Sequence, residues 1–435
     1  METMKLTDLN FDCLENILEY LELVDLLNAA DSCKRLNKAA ELVFDRKHGK
    51  KTVSFGEMQI STLRLVKYKF GDIHVNDLKT GLQLLRCLGR VIHKICFEQL
   101  IFEESIQLEI DRKLATYVNA YCAEYLKEGD FQRNGVLEYF DKPFPKLRGI
   151  HVLECKFTEI NRIKRLFPNL ESLMCSHYED VSFYNTNATH FPRLKSLTFF
   201  ELGYDPISDV RHEQNLRNEM VSEFLKLNPQ LKELHVSSFA LADSYLTIDL
   251  IRSEVDNLQN IESLYLDLKP ITVHDDIDNI IHMKRVKTFI TSLRHYNNEW
   301  PTCSLPFSFE KLEKFDVSPP KQIEFLPNFF EDFFNFIDKF PKITDLSISS
   351  YENSSAMDWS RLTRSLPLLV TISIHISFST DEAIDFMAKF PLLRKFNFML
   401  SDLDELEYLC QRLGKKWRGR ELWKRRRFVQ LKRIV

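Results

Sequence analysis

The chain has 435 residues, 44% of them hydrophobic, and a formal charge of −4 at neutral pH. That length and apolar content suffice for more than one compact core. The near balance of charge excludes a chain that binds nucleic acid over its whole surface. The balance hides an asymmetry. Residues 414–435 hold ten Lys/Arg and one Glu, a net of +9, which leaves −13 for the rest. Glycine is scarce, at 11, whereas phenylalanine reaches 34. Loops that cradle phosphate and strained catalytic turns depend on glycine, so this composition argues against a nucleotide-binding enzyme. The nine cysteines are an odd number with no C-x-x-C pair, the usage of reduced intracellular thiols. The opening METMKLTDLN has no apolar signal core, and no apolar run reaches the roughly 18 residues of a membrane span. With no such signal, the sequons at Asn187 and Asn353 are read as chance. The expected location is the cytoplasm, the nucleus or both.

Residues 9–36, LNFDCLENILEYLELVDLLNAADSCKRL, form the first legible segment. Leu9, Leu14, Ile17, Leu18 and Leu21 recur at three- and four-residue spacing, followed by Asp25–Leu26 and then Cys33–Leu36. This predicts a short helical cluster, too small for a large core of its own, with apolar surface left for another protein. In its order of residues the segment resembles an F-box. Two positions depart from that pattern: Asn10 stands where the family usually has Pro, and Leu36 where it often has Trp. The resemblance implies binding to a Skp-type adaptor, and through it to a cullin scaffold, by Leu9, Asn10, Leu14, Ile17, Leu18, Leu21, Asp25 and Leu26. The plainer reading is a helical cap on a larger fold. If these apolar side chains are buried against residues 50–100, the cap gains; if they are exposed, the adaptor site gains.

Thr52–Phe55 reads as an opening strand. From about residue 90 the chain repeats itself. Phe-Pro-x-(Leu/Ile) occurs at residues 144–147, 167–170, 191–194, 340–343 and 390–393, with Asn228-Pro229 and Leu366-Pro367 as variants. Each is followed by an apolar residue at +3 and usually another at +5, as in Leu147-Ile150-Val152 and Leu194-Leu197-Phe199. Copies without the proline include Ile92-Ile95-Phe97, Ile261-Leu264-Leu266 and Leu312-Phe315-Val317; Val286-Phe289-Thr291 is a weak one. From Leu147 onward the intervals are 23, 24, 37, 30, 25, 26, 31, 26 and 24 residues. The Lys113–Leu126 stretch reads as helical inside a long gap, where an irregular repeat is expected. The phenylalanines at 329, 330, 333, 336 and 340 read as one buried helix rather than an aromatic ligand cage. Asp381–Phe390 reads as a helix capped by Ser379-Thr380 and stopped by Pro391.

This pattern resembles the leucine-rich repeat family in its long, helix-bearing form, of which Cys155 alone fills the Asn/Cys position after the strand. The resemblance implies an α/β fold: a right-handed solenoid, or horseshoe, with a parallel sheet on its concave face. The expected organisation is an F-box-like helical domain over 1–48, a leucine-rich-repeat solenoid over 49–413, and a basic cap or tail over 414–435.

Catalysis has no support in the sequence. There is no Walker-type loop, no H-E-x-x-H and no G-x-S-x-G, and no histidine cluster suggests a metal. No cofactor is expected. The repeat register puts His151, Met174, His235, Tyr265, Ile290 and Asp316 on the concave face, as candidates for contacting a target protein. His151 and His235 are expected to point to solvent. That face holds lysines but no arginine, which argues against a phosphorylated partner. The tail, GKKWRGRELWKRRRFVQLKRIV, reads first as a closing helix in which Trp417, Trp423 and Phe428 seal the last repeat. It also suits a localisation signal, or nucleic-acid binding confined to the tail. Together the two resemblances imply a non-catalytic, insect-like F-box receptor that holds an unidentified protein target for ubiquitination, with no membrane partner. The alternative is a leucine-rich-repeat interaction scaffold that recruits no ligase.

Overall fold

The computed structural model describes residues 6–55, 73–75, 77–98, 104–132, 136–152, 160–177, 190–201, 222–238, 244–268, 280–293, 306–318, 329–348, 358–423 and 427–434. Cys155 and both sequons fall outside these. The chain divides into two compact units, Met1–Gly203 and Tyr204–Val435.

The first unit opens with three helices, α1 (Phe11–Leu18), α2 (Leu23–Ser32) and α3 (Lys34–His48). Leu14 and Leu18, four residues apart, turn one stripe of α1 inward; Leu26, Leu27 and Ala30 of α2 and Leu36, Ala39, Ala40, Val43 and Phe44 of α3 complete the core. A parallel sheet follows in the order β2-β1-β3-β4-β5-β6-β7. Its strands are β1 (Thr52–Phe55), β2 (Ile73–Val75), β3 (Lys94–Phe97), β4 (Glu128–Phe131), β5 (Gly149–Val152), β6 (Ser172–His177) and β7 (Ser196–Glu201). Helices α4 (Leu78–Leu88), α5 (Glu104–Tyr121) and α6 (Ile160–Leu166) alternate with them.

The opening strand lies where the sequence places it, and β4 is the irregular repeat inside the long gap. Its copy reads Leu126-Gly129-Phe131, with glycine at the second apolar position. A Cβ on Gly129 would sit 2.6 Å from the Phe131 ring, so the ring occupies the volume that leucine fills elsewhere. Phe131 in turn extends a row of rings, 5.7 Å from Phe97 and 6.2 Å from Phe167, with Phe97 5.7 Å from Phe55. The abundance of phenylalanine is thus core filling, and the rings meet at the stacked and edge-on distances that add to area burial.

The second unit carries the sheet β8-β9-β11-β13-β14-β15-β16-β18-β17. Its parallel strands are β8 (Glu233–Ser238), β9 (Ser263–Leu268), β11 (Thr288–Leu293), β13 (Lys314–Ser318), β14 (Asp345–Ile348), β15 (Thr371–Phe378) and β16 (Lys395–Leu400). A separate parallel pair joins β10 (Ile281–Met283) to β12 (Phe307–Phe309). The helices are α7 (Ser244–Ser253), α8 (Phe329–Ile337), α9 (Trp359–Ser365), α10 (Thr380–Ala388) and α11 (Glu405–Leu413). The α8 segment buries Phe333, Phe334, Phe336 and Phe340, as a core helix would. Helix α10 begins in a capping box between Ser379 and Glu382.

The recurring Phe-Pro-x-Leu has a direct structural meaning. In each described copy the N–H of the fourth residue donates to the carbonyl of the first: Leu147 to Phe144 at 3.2 Å, Leu170 to Phe167 at 3.3 Å, Leu194 to Phe191 at 3.2 Å, Ile343 to Phe340 at 3.2 Å and Leu393 to Phe390 at 3.0 Å. The variants close the same way, Leu231 to Asn228 and Leu369 to Leu366. This is a β-turn whose second position, with φ near −65°, suits proline. The first and fourth residues are buried, and the chain leaves the fourth directly into a strand.

The tail departs from the expected helix. It is an antiparallel hairpin of β17 (Trp417–Trp423) and β18 (Phe428–Arg433), and β18 pairs with β16. Alternation puts Val429 and Leu431 into the core beside Phe396 and Phe398. Closure therefore rests on Val429 and Leu431, while Trp417 is half-exposed. Gly419 is required here, because a Cβ would lie 2.6 Å from Cys410 Sγ and 2.9 Å from Leu406 Cδ1 of α11.

Two outcomes follow. Thr291 takes the third apolar position of its repeat, fully buried, and its Oγ1 has no hydrogen-bond partner among the described residues. Thr291→Val should raise stability by about 1 kcal/mol in denaturant titration, since it removes an unsatisfied hydroxyl at nearly constant shape. Truncation after Leu413 should expose the β16 edge and the Phe396–Phe398 pair. A truncated chain that melts with the full chain and stays soluble would show that the hairpin does not close the core.

Candidate functional site

Two surfaces can meet partners: the N-terminal helices and the strand face turned away from the helices. Helix α1 starts at Asn10, whose side chain accepts from the Cys13 N–H at 2.8 Å. Asparagine in place of proline therefore supplies an N-cap, which stabilises a helix start by about 1 kcal/mol. Arg35 Nη2 donates to the Leu9 carbonyl at 2.6 Å, and Arg46 bridges to Glu15 and Glu19, so α3 ties down both ends of α1.

These helices are seated firmly on the first repeats. Arg86 of α4 pairs with Asp31 at 2.6 Å, Asn37 Nδ2 donates to the Cys87 carbonyl at 2.9 Å, and His93 lies 3.7 Å from Asp45. A side chain at Gly89 would collide with Cys122 and Tyr121, so α5 closes directly onto the end of α4.

The eight residues expected at the adaptor contact divide sharply. Leu14, Leu18 and Leu26 are buried in the helical core and cannot touch a partner. Their three- and four-residue spacing marked the inward stripe. Ile17, Asn10 and Asp25 are exposed, and Leu9 and Leu21 are half-exposed. The structure adds residues that the spacing did not single out: Tyr20, 89% exposed, Val24, 56% exposed, and Leu6. Ile17, Tyr20 and Val24 present apolar side chains around the turn between α1 and α2, and Leu6 does so ahead of α1.

Residues 6–44 match the F-box domain. The match spans the 3-10 turn at Leu6–Asp8, α1, α2 and most of α3. No curated protein matches the chain. An F-box domain implies an adaptor role in a Skp–cullin–F-box ubiquitin ligase, and proteins that carry one are typically non-catalytic receptors.

The strand face forms one row in each unit. In the first, register joins His74, Ser54, Cys96, Asp130, His151, Met174 and Thr198. His151 is buried, with Nδ1 2.8 Å from Asp130 Oδ1, rather than turned to solvent. Asp130 comes from the repeat in which Gly129 replaces the second apolar residue, so its pairing with His151 is not legible in the sequence. Burial, with Asp130 and Glu98 nearby, pushes the Cys96 thiol far above its usual range, the opposite of an activated nucleophile.

In the second unit the row runs His235, Tyr265, Ile290, Asp316, Ser347, Ser373 and Asn397. The four expected target-contact residues here stand side by side, whereas His151 and Met174 stand in the first unit's row. The His235 and Tyr265 rings are 3.6 Å apart at their centroids. His235 also departs from the expected solvent position: burial pushes its pKa down to about 3. Among the described residues no group of His, Cys, Asp and Glu could hold a metal ion, and no helix is long and apolar enough to cross a membrane.

The depressed His235 pKa has a stability consequence. Between about 3 and its ordinary value of 6.5 the unfolded chain binds a proton there that the folded chain does not. Stability should therefore fall as pH drops through 6.5, by at most about 1.4 kcal/mol per pH unit. His235→Gln should flatten that limb in denaturant titrations near pH 5 and pH 7. An unchanged pH dependence would show that other groups carry it.

Proposed function

We propose that this chain is the target-receiving subunit of a Skp–cullin–F-box ubiquitin ligase, acting in the cytoplasm or nucleus without an active site of its own. The F-box domain at residues 6–44, with Leu6, Ile17, Tyr20 and Val24 left apolar and exposed on it, carries the reading. In this reading the exposed side chains, with Leu9, Asn10, Leu21 and Asp25, meet a Skp-type adaptor. Residues 49–413 act as a leucine-rich-repeat solenoid whose strand face holds a target protein, and residues 414–435 close it. His235, Tyr265, Ile290 and Asp316 are the target contacts proposed in the second unit's row, and His151 and Met174 those in the first. Transfer then works by proximity, because the firm seat of the helices on α4 holds bound target lysines at high effective concentration near the charged enzyme.

The burial of Leu14 and Leu18 keeps the scaffold reading in play, since a helical cap would use them the same way. Ile17→Asp separates the two. Ile17 is exposed and lies outside the buried core, so this substitution should change the melting temperature far less than a core substitution does. It should weaken adaptor co-purification strongly, by a hot-spot loss of about 2 kcal/mol or more. Leu14→Ala, in contrast, should destabilise the helices by about 2–5 kcal/mol. If the folded Ile17→Asp chain retains adaptor fully, or if the wild-type chain captures none, the ligase reading fails.

A further inference from the structure

The hairpin changes the chemistry of the strand face. On the parallel strands of the second unit, the row one step nearer the strand starts runs Glu233, Ser263, Thr288, Lys314, Asp345, Thr371 and Lys395. It contains no arginine. The hairpin extends it: Lys395 lies opposite Lys432, and Lys432 opposite Arg418. In the next row Asn397 lies opposite Gln430, and Gln430 opposite Arg420. Gly419 and Leu431 point toward α11 and the core, so alternation turns Arg418, Arg420 and Lys432 to the helix-free face.

Lys395, Lys432 and Arg418 thus stand on adjacent strands about 4.8 Å apart. Like charges placed directly opposite destabilise a sheet. Among the described residues neither Arg418 nor Lys432 pairs with a carboxylate, and the nearest acid in their row, Asp345, is separated from Lys395 by Thr371. Arg420 is held in place: its Nε donates to Gln430 Oε1 at 2.8 Å, and the buried Gln430 donates to Asn397 Oδ1 at 2.8 Å. Among the described residues its two terminal guanidinium nitrogens meet no acceptor.

The second observation is the edge. β17 ends the sheet, and among the described residues no strand pairs with its outer side. The Ile434 N–H donates to the Lys416 carbonyl at 2.7 Å, so even-numbered residues of β17 direct their backbone groups at β18. Trp417 and Glu421 then offer theirs outward, with the Gly419 carbonyl, while the Gly419 N–H hydrogen-bonds to Cys410 of α11. An added strand would find the main-chain groups of Trp417 and Glu421 and, on the helix-free face, Arg418 and Arg420 at alternate positions.

We propose that an extended acidic segment of the target protein adds to β17 as a further strand, with carboxylates at alternate positions paired to Arg418 and Arg420 and reaching toward Lys432 and Lys395. This rests on the receptor reading and names the class of target it takes. The main chain supplies affinity, and the alternating charges supply register and choice.

The test uses the full chain with its adaptor and a fluorescent peptide alternating Glu with Thr. A peptide of the same composition with its Glu residues in one block, and a single-stranded RNA of equal charge, serve as competitors. The alternating peptide should bind, outcompete both, and weaken with salt. Arg418→Glu/Arg420→Glu should weaken it by roughly tenfold or more. Lys415→Glu/Lys416→Glu, an equal charge change on exposed residues before β17, should change it by no more than about twofold. Melting curves confirm that both variants fold, and Arg418→Gln/Arg420→Gln replaces the reversal if it does not. Absence of peptide binding, equal loss in the two variant pairs, or equal binding of the blocked peptide or the RNA would overturn the proposal. Adaptor co-purification reads the receptor reading separately: its loss with peptide binding intact would sink that reading and leave the surface standing.

Discussion

The backbone hydrogen bond that closes each Phe-Pro-x-Leu turn is the constraint on which the rest of the molecule depends. In the repeats that carry it, it fixes where the parallel strand begins, because the donor is a buried residue two positions ahead of the strand. With the starts fixed, successive parallel strands begin in a common register, Leu147-Ile150-Val152 beside Leu170-Leu173-Cys175, and β15 and β16 shift only beyond Ser373. A one-residue slip would turn the apolar set of a strand to the opposite face. The turn therefore decides which residues form the core and which form a surface for a partner.

The same register gives the strand face two characters. In the first unit Ser54, Cys96, Asp130, His151 and Thr198 are buried. In the second, Tyr265, Ile290, Asp316, Ser347 and Ser373 are half-exposed. The N-terminal helices are joined to the first repeats by Arg86–Asp31 and Asn37–Cys87 and form a fixed platform there.

Most of the architecture was legible because it is periodic. Turn, strand and buried triplet recur, so one copy interprets the others. What escaped was whatever broke the period. Gly129 hid β4, since the Phe131 ring replaces a leucine there. The tail was misread because cations and aromatics suit a helix end as well as a strand; the open edge of β16 decided for a strand.

In the helical domain the sequence alone determined that α1 is amphipathic and that some of its apolar residues serve its own core. Spacing by three and four identifies a stripe, but not whether that stripe faces inward or outward. Packing against α3 buried Leu14 and Leu18 and left Ile17, Tyr20 and Val24 for a partner. The strand face followed the same division. Alternation along each strand is a local property and could be read from one repeat. Which residues stand beside one another across strands is set by pairing between segments far apart in the chain. Only the tertiary structure could place Asp130 against His151, or bring Arg418 into line with Lys432 and Lys395.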